Sequence, residues 1–357
     1  MSYTLNYNLI DNGTHYSVSG YTGDPIDVVI PNEYNGIPVT SIGDRAFYGC
    51  TSLKSVIIGN SVTSIGKTAF YSCDNLTGIE IPNSVTSIGY MAFRNCTSLT
   101  SVVIGDSVTS IGNYAFEYCY KLVEVINKST HITVEKGGSS NGYVGCYALA
   151  VYNSGDTFTG TKLSNDNGYI IYTDSSEKIL VSYNGQETNL ILPNYITKIN
   201  NYAFFGCTSL TSVTIGNSVT SINGSAFAYC NSLNTINIIS KVPANLASTN
   251  AFTNVSPNIK FYCYSSALEA YKTATNWSTY EDKFIADDMR LTFVVSANAQ
   301  KKYFASKEEV NTLLEINTVL KSQIAELQTT VNNLQEIVAS MSPVTPEAIS
   351  TIFNTEV

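Results

Sequence analysis

Charge is the scarcest feature of this 357-residue chain: Asp, Glu, Lys and Arg together make up 13% of it, about half the share of an ordinary globular protein. The balance is acidic, a formal -9, so no electrostatic footprint for DNA, RNA or anionic lipid is present. No run of about 18 apolar residues occurs, which removes a transmembrane helix of the usual kind. The opening MSYTLNYNLIDN has neither the basic start nor the apolar stretch of a secretory leader. The expectation is therefore trimming, or exit from the cell by another route. Histidine is limited to His15 and His131. Neither stands near Cys or acidic residues at metal-ligand spacing, so no metal site is expected, and both read as solvated loop residues. There is no G-x-S-x-G elbow, no Walker loop and no Rossmann fingerprint. Carboxylate pairs for glycoside hydrolysis stay open at this stage, but Asp and Glu are sparse and fall mostly in turns or near the C-terminus. The reading is a non-enzymatic protein without a cofactor.

What is present is a period. Phe47, Phe70, Phe93 and Phe116 stand 23 residues apart, and Phe204 and Phe227 resume the step. The unit reads SVTSIGNYAFxxCTSLTSVxIGN. Leu99, Val102 and Ile104 follow L-x-x-V-x-I, whose last pair alternates as in a short strand facing inward. Gly-Asn or Gly-Asp after Ile58, Ile104 and Ile215 supplies a turn. Val62 and Ile65, Val85 and Ile88, and Val108 and Ile111 supply the opposite wall. Ala-Phe followed three residues later by Cys predicts a single helical turn with one apolar face. One such coil cannot bury that face alone, so neighbours must stack and share a core. Cys50, Cys73, Cys96 and Cys119, like Cys207 and Cys230, recur one repeat apart. A residue recurring at one place in a stacked repeat reads as a small buried hydrophobe, so free thiols are expected in preference to disulfides.

These residues resemble the BspA-like subgroup of leucine-rich-repeat proteins, found on bacterial surfaces, in some protists and in phage genomes. The resemblance extends to the entry segment from Tyr16 to Phe47, with its expansion at Asn35-Gly36, and to the exit segment from Ser266 to Ala286. There the family has a closing helix, whose Leu268, Tyr271 and Trp277 would cover the last coil. The likeness spans about residues 15 to 286 and implies an α/β solenoid of short parallel strands and single helical turns, specific for fold and silent on ligand. The expected segments are an N-terminal hairpin cap (1–20), repeats (21–126), an irregular stretch (127–188) and further repeats (189–262). The irregular stretch holds a hairpin around Thr173-Asp174-Ser175-Ser176. A helical cap (263–286) and a linker (287–304) containing the strand-like RLTFVV follow.

The composition then changes. Ser306-Lys307-Glu308-Glu309 is a capping-box signature, and an unbroken heptad begins at Val310. Its a positions are Val310, Asn317, Ile324, Val331 and Val338; its d positions are Leu313, Leu320, Leu327, Leu334 and Met341. This predicts a parallel coiled coil over 305–342, roughly 48 Å long. Beta-branched a residues, Leu at d and Asn317 favour a dimer, but Leu314 at e with Ile316 and Ile337 at g widens the seam, so a homotrimer is expected over a dimer. Pro343 ends the helix. Thr345-Pro346-Glu347 restarts one, and in 343–357 Ile349, Ile352 and Phe353 form a docking peptide that wants a partner surface.

The candidate ligand surface is the edge beside Ala-Phe, where Tyr48, Tyr71, Tyr90, Tyr114 and Tyr118 gather, since Tyr gives an amphipathic contact face at low entropic cost. The expected role is a phage virion fibre, attached to another virion protein by its C-terminus and displaying the repeats to a host-surface glycan or protein. The alternative is a bacterial cell-surface adhesin of the BspA-like type, with a carbohydrate-active enzyme a distant third.

Overall fold

The computed structural model describes residues 3–288, 290, 291 and 321–334, which fall into two units divided after Leu291. The first unit is a solenoid. It opens with a hairpin, Tyr3–Ile10 against His15–Gly23, closed at Asp11–Gly13. From there each coil contributes a strand to two walls. The L-x-x-V-x-I segments form one wall: Gly78–Glu80, Ser101–Ile104, Glu124–Asn127 and Ala150–Tyr152 run parallel and in register, Val102 standing beside Ile79 and Val125. Asp27–Ile30 and Ser55–Ile58 pair as a separate ribbon ahead of them. The opposite wall runs from the hairpin through Ile37–Ile42, Ser64–Ile65, Ser87–Ile88 and Ser110–Ile111.

Two residue types outside the core explain how closely coils approach. Threonine at the start of the short strands binds twice to the coil before it: in Thr63, Thr86 and Thr109 both amide and hydroxyl donate to the carbonyl 23 residues earlier. At Gly89 a Cβ would stand 2.6 Å from the Gly66 backbone, so any larger residue would push the coils apart. Asn200 and Asn223 replace this glycine further along, and there the two side-chain amides meet each other instead.

The expected helical turns are not helices. Around Phe47, Phe70, Phe93, Phe116, Phe204 and Phe227 the backbone is a succession of turns with left-handed positions two residues before and two after the Phe, at Arg45 (φ 59°) and Gly49 (φ 69°) in the first repeat, whereas Ala251-Phe252 lies in the 3-10 helix Thr249–Phe252. Amides alternate in their use. Those of Arg45, Phe47 and Gly49 donate to Lys67, Ala69 and Tyr71 of the next coil, while those of Ala46, Tyr48 and Cys50 donate three residues back. An α-helix would spend every amide within its own turn; this backbone spends half of them along the solenoid and so makes a third inter-coil ladder.

Inside, Phe47, Phe70, Phe93 and Phe116 form a column of near-parallel rings 5.1 Å apart, each fully buried. The thiol of each of Cys73, Cys96 and Cys119 donates to the carbonyl of the Phe 26 residues earlier. The column pauses over the irregular stretch. The hairpin Tyr169–Asp174 and Glu177–Tyr183, turning at Ser175-Ser176, restarts both the sheet and a second core. Phe204, Phe227 and Phe252 then stack in the second array.

At the exit, the short helix Leu268–Thr273 and the 3-10 turn Trp277–Lys283 bury Tyr271 and Trp277, whose indole donates to the Ala244 carbonyl. Leu268 packs only partly buried against the same core. The wall continues past this cap, because Phe284–Ala286 pairs in parallel with Lys260–Cys263. In the second unit, residues 321–334 are helical.

Candidate functional site

Because both residues of each Ala-Phe are buried in the core, the residue after the Phe faces outward, and the left-handed positions two before and two after the Phe flank it on the same edge. One residue after the Phe come Tyr48, Tyr71, Arg94 and Glu117. Tyr48 is 52% exposed and stacks on Tyr71 at 4.9 Å. Arg94 and Glu117 pair at 2.6 Å, and the guanidinium lies 4.9 Å from the Tyr118 ring. On the near shoulder Tyr90 meets Tyr114 edge-on, Tyr143 stacks on Tyr114, and Lys67 stands 5.6 Å from Tyr90. The five tyrosines singled out in the sequence are thus exposed or half-buried on one edge, but they divide into three groups instead of forming a single stripe.

The largest group was not legible in the repeat. Tyr118 meets Tyr120, Tyr120 stacks on Tyr202 at 4.0 Å, and Tyr147, Phe205 and Tyr229 extend the cluster. It forms where the turns on either side of the irregular stretch meet, bringing together residues some 80 positions apart. The available signal was positional: Tyr202 stands two before its Phe as Tyr114 does, and Tyr229 two after as Tyr118 does. Burial raises the phenol pKa of Tyr120 and Tyr147 above the ordinary value, so both are neutral hydroxyls able to donate or accept.

Backbone conformation adds weight to this edge. Tyr114, Tyr118, Tyr202 and Tyr229 have φ between 60° and 63°. A bulky side chain is uncommon in that region and costs on the order of 1 kcal/mol or more. In equivalent coils Gly49 and Gly206 occupy the place of Tyr118 and Tyr229 without strain. Tyrosine is therefore held there against local conformational preference.

A second exposed surface lies on the outer side of the first wall. Val29 and Ile57 are 54% and 66% exposed there and border a cleft of about 730 Å³ that reaches Glu80 and Lys128, an ion pair at 3.4 Å. In the second array the same side is covered: Asn237 bonds Thr214, Arg290 donates to Asn237, and its guanidinium lies over Tyr262. His15 lies 3.3 Å from Asp11 in the first hairpin and His131 is exposed. Among the described residues no cluster of three His, Cys, Asp or Glu could hold a metal, and no helix is long and apolar enough to cross a membrane.

Of the heptad residues, Ile324, Leu327, Val331 and Leu334 fall on the described helix and are 45% to 64% exposed. Val310, Leu313, Asn317, Leu320, Val338 and Met341, like Ile349, Ile352 and Phe353, lie outside the described residues.

No curated protein matches the chain. Among solved structures, a leucine-rich-repeat protein of T. pallidum is similar at 24% identity and TM-score 0.33, covering 72% of this chain and 82% of its own. A leucine-rich cell surface protein from Faecalibacterium prausnitzii is similar at 22% identity and TM-score 0.30, over 73% and 87% of the two chains. A leucine-rich-repeat protein from Bacteroides ovatus gives 22% identity and TM-score 0.27, over 74% and 79%. The family model described as the BspA type leucine rich repeat region matches in six copies over residues 27–141 and 181–282, more than half of the sequence, and the chain belongs to that family.

Proposed function

We propose that this chain is an attachment protein: the solenoid presents its tyrosine-rich edge to a glycan or protein on another surface, and the heptad helix gathers copies into a parallel coiled coil, a trimer by its wide apolar seam. The observation that carries the binding half is tyrosine at two left-handed positions, Tyr118 and Tyr229, where equivalent coils carry Gly49 and Gly206. Exposed aromatic faces beside Arg94 and Lys67 suit both sugar rings and protein side chains. The multivalent half rests on Ile324, Leu327, Val331 and Leu334. They follow the a and d spacing of a heptad and are all exposed on the single chain, an arrangement that association would bury.

Two settings fit this chemistry. In a virion fibre, Ile349, Ile352 and Phe353 dock on another virion component and the solenoid faces outward. In a BspA-type bacterial surface adhesin the same edge meets a host or neighbouring cell. A variant lacking 343–357, followed by co-sedimentation with particles, separates them: loss of incorporation supports the fibre, and full incorporation removes the docking peptide and the fibre setting with it. For oligomerisation, light scattering on the full chain and on a chain cut before Ser306 should give an oligomer and a monomer. A truncated chain that stays oligomeric would move the interface to the solenoid.

A further inference from the structure

After their Cys, the other Ala-Phe-x-x-Cys repeats carry a small polar residue: Thr51, Asp74, Thr97, Thr208 and Asn231. Tyr120 is the departure, and Lys121 beside it departs too, standing where preceding coils carry Ser52, Asn75 and Ser98. Both reach out of the first array. The Lys121 Nζ donates to the Ser182 hydroxyl at 3.0 Å, and the Tyr120 ring lies on Tyr202, with centroids 4.0 Å apart and planes 19° from parallel. The phenylalanine rings stacked inside the coils stand 4.8 to 5.2 Å apart, a spacing set by the coil pitch. Among the described residues only two tyrosine pairs come closer than that. One is Tyr7 with Tyr34 at 4.1 Å, in the entry cap, where paired strands already hold both residues. The other, Tyr120 with Tyr202, has no such support. The sheets of the first array end at Ser110–Ile111 and Ala150–Tyr152, those of the second begin at Leu163–Asp166 and Asn189–Ile191, and no strand pairing joins them among the described residues.

We propose that Tyr120 and Tyr202 are the site of an oxidative crosslink, a dityrosine bond that fastens the two arrays together when the chain meets hydrogen peroxide and a haem peroxidase. Each phenol gives up one electron and its hydroxyl proton. The phenoxyl radicals that result carry spin on the carbons ortho to oxygen, and two of those carbons, one from each ring, form a bond. Each bonded carbon then releases its hydrogen as a proton while its oxygen takes one up from water, which restores two aromatic phenols. The two rings together lose two hydrogens, and one peroxide is reduced to two waters. Stacking supplies the proximity this step needs. Both rings are half-buried and lie against each other, and rotation of such side chains is fast, so the radicals meet without a diffusional search. The exposed Tyr118, 5.7 Å from Tyr120, and Tyr147, 5.4 Å from it, widen the target for the first oxidation. The bond spans some 80 residues of sequence and so restricts the unfolded chain across the break between the arrays.

The test is treatment of the native full chain with a haem peroxidase and hydrogen peroxide, followed by digestion with trypsin and mass spectrometry. Cleavage at lysine and arginine leaves Tyr120 in residues 95–121 and Tyr202 in residues 199–241. These two peptides should appear joined, two hydrogens lighter than their sum, with fragmentation placing the bond at Tyr120 and Tyr202. Tyr120→Phe and Tyr202→Phe each keep the stacked ring and remove the hydroxyl, so either should abolish the joined pair while circular dichroism reports an intact fold. An equal mixture of heavy-labelled and unlabelled chains should give no mixed pair, because the bond lies within one chain. The oxidised parent should melt higher than Tyr202→Phe treated in the same way. The proposal is overturned if the two peptides stay separate, if the joined pair persists in either phenylalanine variant, if mixed pairs appear, or if the crosslinked chain melts no higher than that variant.

Discussion

Replacing Phe93 by alanine takes one ring from the middle of a stack. Phe70 and Phe116 lie 5.1 Å on either side, and Phe93 itself is fully buried. The main chain is held independently of the ring, since the Phe93 amide donates to Ala115 and the Met91 amide to Asn113 in the next coil. The coil therefore cannot collapse to fill the space, and the lost burial and the void add, at about 3 to 5 kcal/mol. For a unit of this size each kcal/mol moves the melting temperature by roughly 2 to 4 °C, so the full chain should melt about 6 to 20 °C lower by circular dichroism. Solenoid stability is carried by nearest-neighbour contacts, so exchange protection should fall most in the coils around 70 and 116. Tyr48→Ser, on the outward side of the same column, serves as the control and should move the melt little. An unchanged melting temperature for Phe93→Ala would refute the inward column and with it the register of every coil.

Three further outcomes follow from the geometry. Burial lowers the Lys121 pKa from 10.5. Below 10.5 the folded state therefore binds fewer protons than the unfolded one, and the amine opposes folding most at low and neutral pH. Lys121→Met should raise the unfolding free energy at pH 7 with a gain that shrinks as pH approaches 10.5; a gain constant with pH would show that the amine is not desolvated. Tyr118→Gly relieves a left-handed backbone at φ 63° and should melt no lower than the parent while weakening adhesion to the binding partner; a drop of several degrees would make Tyr118 a structural residue. Protein purified without oxidant and unfolded without reductant should titrate nearly all eight cysteines as free thiols, and four or fewer would overturn the reading of the column as unlinked.

The period, both walls and the inward columns were legible because each is a property of one position repeated: Phe, Cys, Val and Ile recur at a fixed step and can only face one another. The hairpin at Ser175-Ser176 was legible from two apolar runs about a polar break. The helical turn was misread because Ala-Phe-x-x-Cys has the three-residue spacing of a helix face; the contrary signal was Gly49 and Gly206 two residues after the Phe. The tyrosine groups were placed on the correct edge but not divided, since shoulder and crest positions differ by a single residue. Tyr120, Tyr147 and Tyr202 gather only once the irregular stretch has folded. Lys121 passed unnoticed for a related reason: its departure from the repeat is one residue, and its partner, the Ser182 hydroxyl, comes from the hairpin of the irregular stretch.

Tyr48 and Tyr71 stand 4.9 Å apart and the phenylalanines behind them 5.1 Å, so the edge is a ruler graduated in coils. Residues along an extended peptide advance only about 3.3 Å. A strand laid lengthwise along the edge presents same-face residues only about every 6.6 Å, and therefore meets the edge in step at about every fourth coil. Neighbouring strands in a sheet, by contrast, lie about 4.8 Å apart. Whatever contacts every coil in the same way must itself recur at nearly that interval, which makes a periodic surface a better match for the whole edge than any single linear chain.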